Sequence, residues 1–319
     1  MMTRLSVCVA LVVTALMGSS TVAQTRSVPP EVVSLVTRDG VQLKATYFPG
    51  AARKGSAEAK QMAPVVLLHD HKETRSAFNA LAQRLQSPSE GEEVGPSFAA
   101  ITVDLRGHGD STRQVFPNGE TIDLDASKLR RNDFFAMAVM DMAAVRSFLV
   151  DKNDAGELNL NKLCLVGAGM GANVAANWAE QDWRWPPLAV GKQGQDVKGL
   201  VLISPRWSYN GLSFQAPMRF RPLKEYVAWM LVYGAEDSKA AADVRRIEKQ
   251  LERFHPDAKA AAAARGTSSL QVVALKSKLQ GSTLVRQSGA PVEDTIVRFL
   301  SEHVATRQLP WSSRRQQLP

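Results

Sequence analysis

Apolar positions along the chain follow two rhythms. Short continuous runs, Pro64 to His69, Phe98 to Leu105, Lys162 to Val166, Gly199 to Ser204, Trp229 to Gly234 and Leu270 to Leu275, read as strands, the clearest of them buried on both faces. Two earlier runs, Val32 to Asp39 and Val41 to Pro49, meet at Asp39-Gly40, a dipeptide suited to a tight hairpin, and bring the predicted strands to eight. Between the later runs the spacing turns helical. From Asp133 to Val150 the residues Phe134, Phe135, Ala138, Met142, Val145 and Leu149 fall near one helical face, and Ser76 to Leu85, Met170 to Gln181, Ser238 to Phe254 and Val292 to Val304 are further helix candidates. A hairpin followed by strand-helix alternation predicts an α/β fold with an eight-stranded, mostly parallel sheet flanked by helices. Arg53 to Met62, Ser87 to Pro96 and Trp185 to Asp196 are polar or rich in Gly and Pro and predict surface loops, while Ala260 to Ala264 continues or frays from a helix. There is no internal repeat and no second core.

The two ends depart from this pattern. Arg4, the apolar run Leu5 to Met17 and the small residues leading to Ala23 have the form of a cleavable export signal, and the apolar run is shorter than the roughly twenty residues that span a bilayer. Residues 1–23 are therefore expected to be removed and the protein to be secreted or periplasmic. Removal takes Cys8 and leaves Cys164 as the one thiol, so no internal disulfide can form. Residues 28–306 form the expected domain. Residues 307–319 hold three arginines, two prolines and no acid, and predict a disordered basic tail.

Composition adds bounds more than identity. The chain of 319 residues is 45% hydrophobic and 22% charged, with 21 Gly and 16 Pro, values that exclude collagen-like, coiled-coil and wholly disordered chains. A net charge of +8 permits weak contact with polyanions or envelope surfaces through the tail. No nucleotide-binding loop, dinucleotide fingerprint or cysteine-based metal motif is present, so no cofactor and no nucleic-acid partner is expected.

Leu165-Val166-Gly167-Ala168-Gly169-Met170-Gly171 carries the chemistry question. A strand that runs through small residues straight into a helix makes a sharp turn whose middle residue is displayed above the sheet edge. This turn resembles the Gly-x-Ser-x-Gly elbow of the alpha/beta-hydrolase superfamily, with Gly167 and Gly171 matching and Gly169 at the position of the nucleophile. Three further runs are similar to that superfamily in the same order: Val65 to His69 before the oxyanion loop, Asp104-Leu105-Arg106-Gly107-His108-Gly109-Asp110-Ser111, and Leu202 to Pro205. Trp229 to Asp237 resembles the strand and turn that present the triad acid, with Asp237 in its place. The resemblance covers about Val32 to Val304 and implies an alpha/beta-hydrolase fold, esterase-like or peptidase-like.

What the resemblance lacks decides the expected function. The counterpart of the family's catalytic His is Gln280, which cannot relay a proton near neutral pH. Loss of a triad serine costs about six decades in rate, roughly 8 kcal/mol of transition-state stabilisation. Asp70 stands where the family usually has Gly after His69. A carboxylate facing the oxyanion hole would oppose a developing oxyanion by roughly 4 kcal/mol at 4 Å and an effective dielectric near 20, whereas one turned outward would not. The chain is thus expected to be a degenerate member, with Gly169, Asp237 and Gln280 at the triad positions. It would bind a small-molecule ligand or protein partner through a pocket bordered by His69, Asp70, His71, Gly169 and Met170, the last offering its backbone amide.

Two active alternatives remain. Ser204, Ser111 or Ser282 near strand ends could serve an unrecognised ester or amide hydrolase, although each also suits a cap or turn. Alternatively His69, His71, Asp104 and His108, brought to one edge, have the donor types for a divalent metal and a bound hydroxide. His255 and His303 fall in helical regions and read as ordinary residues.

Overall fold

The computed structural model describes residues 28–87, 96–186, 191–255 and 268–314. The leader read over residues 1–23, most of the Ser87 to Pro96 loop and Ala260 to Ala264 lie outside the described residues.

The chain opens with the expected hairpin, β1 (Glu31–Val36) against β2 (Val41–Phe48), in register Val36 opposite Gln42. Gly40 sits at φ +87 in its turn, a left-handed conformation that the Asp-Gly pair supplies without strain. The other expected runs are β3 (Pro64–Leu68), β4 (Ala99–Val103), β7 (Leu163–Ala168), β8 (Val197–Ile203), β11 (Ala228–Gly234) and β12 (Leu270–Leu275). Two additions were not foreseen: a peripheral hairpin of β5 (Arg113–Val115) and β6 (Thr121–Asp123), and a separate short pair of β9 (Ser208–Tyr209) and β10 (Leu212–Ser213). The main sheet runs β12-β11-β8-β7-β3-β4-β2-β5-β6 with β1 on β2. Pairing from β12 to β4 is parallel and the pairs involving β2 are antiparallel.

Helices cover both faces: α1 (Asn79–Gln86), α2 (Arg131–Ala136), α3 (Met142–Asp154), α4 (Met170–Arg184), α5 (Gln215–Arg219), α6 (Arg221–Tyr226), α7 (Ser238–Leu251), α8 (Gly281–Ser288) and α9 (Ala290–Leu300). The alternation hidden inside the apolar strands is visible in the packing. Val66 and Leu68 join one core with Phe134, Val145, Leu149 and Trp178, while Val65 and Leu67 join the other with Phe78, Leu85, Ile296 and Phe299. The expected helix from Asp133 to Val150 is continuous but widens through a π turn at Met137–Asp141. That turn carries the buried Asp141, which accepts Arg106 N–H at 3.0 Å and the Arg106 guanidinium at 2.9 and 2.7 Å. The same guanidinium reaches Asp39 at 2.8 Å. Burial opposes its charge, but the Asp141 and Asp39 carboxylates more than offset that and raise its pKa above the ordinary arginine value.

The sequence predicts a disordered basic tail over residues 307–319; its described part, 307–314, crosses the sheet edge formed by the starts of β7 and β8 and is held there by side-chain bonds. The Arg314 side chain is 2% exposed and pairs with the fully buried Asp196 at 2.7 Å. Counting charges along the sequence treats this arginine as solvated because its partner lies 118 residues away. The last five residues, 315–319, lie outside the described residues.

Candidate functional site

The carboxyl ends of β3, β7, β8 and β11 converge, and the loops leaving them build the site. At the end of β7 the chain turns at Gly169 with φ +49 and ψ −109, and α4 starts at the next residue. This geometry is strained for a residue with a side chain and accessible to glycine. The turn is also tight: a Cβ on Gly171 would run into the carbonyl of Leu68, so the helix can approach β3 only with glycine there.

Asp70 occupies the space above this turn. Its Oδ1 accepts the His71 N–H at 2.7 Å and the Met170 N–H at 2.9 Å. Two backbone amides therefore converge on one carboxylate oxygen, the arrangement that would otherwise receive a developing oxyanion. A Cβ built on Gly169 would land within the Asp70 carboxylate, far inside van der Waals contact, and one on Gly281 would meet its Oδ2. The orientation that the sequence left open is thus inward: the carboxylate fills the space into which a side chain at position 169 would project.

Gln280, at the end of the loop after β12, has both ends of its amide engaged. Oε1 accepts the Ser204 hydroxyl at 2.6 Å and the Gly234 N–H at 3.3 Å, and Nε2 donates to the Gly234 carbonyl at 2.8 Å. Ser204 follows β8 directly at φ +51, and its Oγ also accepts the Gly281 N–H at 2.9 Å. Asp237 makes no hydrogen bond to Gln280. Its Oδ1 caps α7 by accepting the N–H groups of Lys239 and Ala240 at 2.9 and 3.0 Å. A small cavity of about 120 Å³ nevertheless brings Asp70, Gly169, Ser204, Asp237 and Gln280 to one space, with Arg206 and Lys239 at its border. The side-chain partner of Gln280 in this space is Ser204, a residue the sequence offers only as a possible nucleophile, cap or turn residue.

The histidines lie beside this space as a packed group. His69 Nδ1 donates to the Asp70 carbonyl at 2.7 Å while Nε2 accepts the Leu105 N–H at 3.2 Å, which satisfies one neutral tautomer completely. Burial holds its pKa down at about 3. His108 is bonded through Nδ1 to the Arg106 carbonyl at 2.9 Å, and burial likewise lowers its pKa. His71 Nε2 meets the Ala126 carbonyl at 3.0 Å. The His108 ring lies 5.0 Å from that of His69 and 5.4 Å from that of His71, centroid to centroid. Asp104 is taken up by Arg75, which bonds it through both its backbone N–H and its guanidinium. Among the described residues no group of three His, Cys, Asp or Glu is placed to hold a metal ion, the set His69, His71, Asp104 and His108 included.

Ser111 and Ser282 stand elsewhere in the polar network. Ser111 Oγ donates to the Asp104 carbonyl at 2.7 Å, and Ser282 bonds Glu73. Neither is joined to an imidazole.

Comparison with known proteins identifies the fold family. The family model described as Alpha/beta hydrolase family matches residues 65–314. Among solved structures, an esterase from Pyrococcus furiosus superposes with TM-score 0.54 at 12% identity, covering 86% of this chain and 93% of its own. A peroxisomal alpha-beta-hydrolase from Saccharomyces cerevisiae gives 0.53 at 14% identity, covering 91% and 92%. An acylaminoacyl peptidase from Pyrococcus horikoshii gives 0.53 at 12% identity, covering 91% of this chain and 44% of its own. At these identities the likeness is one of fold. No curated protein matches the sequence.

Proposed function

We propose that this chain, which belongs to the alpha/beta hydrolase family, does not run triad chemistry and works by binding a ligand or a partner. The reading is carried by one observation, the Asp70 carboxylate seated on the Met170 amide directly above a side-chain-free Gly169. Three requirements of acyl transfer fail together at that point. No hydroxyl stands at the elbow, the two amides that would stabilise an oxyanion already hold a negative charge, and the base position is an amide bonded at both ends. The fully bonded His69 supports the same reading, because neither of its ring nitrogens is free to serve as a base.

A second reading is an ester or amide hydrolase with a nucleophile elsewhere, favoured by the fold likeness to esterases. Turnover separates the two. Purified protein is expected to hydrolyse short-chain aryl esters no faster than buffer, with or without a chelator, and to gain no mass from a serine-directed phosphonate. Turnover abolished by the phosphonate would establish the second reading; turnover lost to chelation and restored by metal would establish metal-assisted hydrolysis.

A further inference from the structure

At the edge of the sheet opposite Gly169, residues 309–314 lie in a groove built by the C-terminal end of α3, the turn that leads into β7 and the segment before β8. Three asparagines reach the strap by its main chain. Asn159 Nδ2 donates to the Leu309 carbonyl at 2.9 Å, Asn161 Nδ2 to that of Pro310 at 2.5 Å and Asn153 Nδ2 to that of Ser312 at 3.0 Å. All three are buried. Contacts of this kind recognise an extended backbone without regard to its side chains.

Two side chains of the strap are recognised individually. The Trp311 indole N–H donates to the Asn153 carbonyl at 3.2 Å, and its ring lies 4.8 Å from Lys60 Nζ. The Arg314 guanidinium donates to Asp196 and to Asn161 Oδ1 at 2.7 Å each and to the Lys192 carbonyl at 3.1 Å. Asp196 is also bonded by Arg146 at 2.9 Å and by Lys192 at 3.1 Å, so it keeps cationic partners without the strap.

The receiving side is organised by its own backbone. Asn153 Oδ1 accepts the Leu160 N–H and Asn159 Oδ1 accepts the Asn161 N–H, both at 3.0 Å, which leaves the Nδ2 groups facing the strap. A receptor whose donors are positioned by bonds that do not involve the ligand loses little order on release and can be refilled.

We propose that this groove is a peptide-binding site for an extended segment carrying tryptophan three residues before arginine, filled here in cis by the chain's own end and open in trans to another protein bearing that pattern. It is independent of the elbow and of the reading given for it.

The test uses a labelled peptide with the sequence of residues 308–314 and fluorescence polarisation. The unaltered chain is expected to bind none measurably, because a tethered strap competes at an effective concentration of order millimolar. The full chain with Trp311→Ala and Arg314→Ala is expected to bind the peptide saturably, and more than about tenfold less well when the peptide carries alanine for its arginine, the loss of a charge-assisted bond. A chain ending at Thr306 should behave the same way. Folded variants that take up no peptide, or that take up the alanine peptide equally well, would overturn the proposal. Should a variant prove too unstable for the assay, its melting temperature should rise with added peptide and not with the alanine peptide; no rise, or an equal rise with both, would overturn it as well.

Discussion

Gly169→Ser combined with Gln280→His is expected to hydrolyse a short-chain aryl ester no faster than buffer, and adding Asp70→Gly to that pair is expected to raise the rate by at least about 10²-fold. The obstacle is steric before it is electrostatic. The serine Cβ would land within the Asp70 carboxylate, so the hydroxyl cannot occupy the elbow while Asp70 holds the His71 and Met170 amides. Removing the carboxylate frees both amides, and a single oxyanion donor is worth about 10² to 10³ in rate. The triple variant would still lack an acid behind its imidazole, and a triad without its carboxylate runs about 10⁴-fold slower. The geometry assigns that role to position 204, because Ser204 Oγ is the group bonded to the Gln280 side chain, whereas Asp237 is occupied in capping α7. Ser204→Asp, and not any change at Asp237, should therefore add to the triple variant. Full recovery in the double variant alone would show that Asp70 leaves the hole freely.

Asp141→Ala is expected to destabilise the fold by about 3 to 5 kcal/mol, read as a lower urea midpoint at unchanged slope. Asp141 is fully buried and gives Arg106 three bonds, and Arg106 is itself only 4% exposed. Without Asp141 the guanidinium would remain in the interior with Asp39 as its one carboxylate partner, and an unpaired buried charge is the costly case. Asp39→Ala should cost much less, on the order of 1 kcal/mol, because that carboxylate is 25% exposed and water can replace it. Equal, small effects from the two substitutions would show that the buried pair contributes little.

These two sites differ in how far the sequence exposed them. Strands buried on both faces appear as unbroken apolar runs, so β3, β4, β7, β8 and β11 were legible, and the Asp39-Gly40 pair marked the hairpin. The β5–β6 hairpin was not, because β6 is exposed along its whole length and has no apolar face to read. Gly169 was legible through the spacing of Gly167 and Gly171. The direction of Asp70 was not, since a rotamer depends on which amides the neighbouring loop presents. Asp237 was legible both by family order, at the triad-acid position, and by its place just before an amphipathic helix, a capping signal that the structure bears out. The pairing of Ser204 with Gln280 joins residues 76 apart and depends on a left-handed backbone at Ser204, neither of which periodicity reveals. Long-range charge pairing hid the strap in the same way: Arg314 looks solvated until Asp196 is beside it.

Calorimetric titration with butyrate, comparing the unaltered chain with Asp70→Ala, reads out the inward carboxylate without any chemistry at the elbow. In the variant the His71 and Met170 amides lose their resident oxygen and can take one from the ligand. Two charge-assisted bonds at roughly 2 kcal/mol each correspond to a Kd of about 1 mM. Binding near that value is expected for Asp70→Ala and none for the unaltered chain. Equal binding by both proteins, or none by either while folded, would contradict the inward carboxylate.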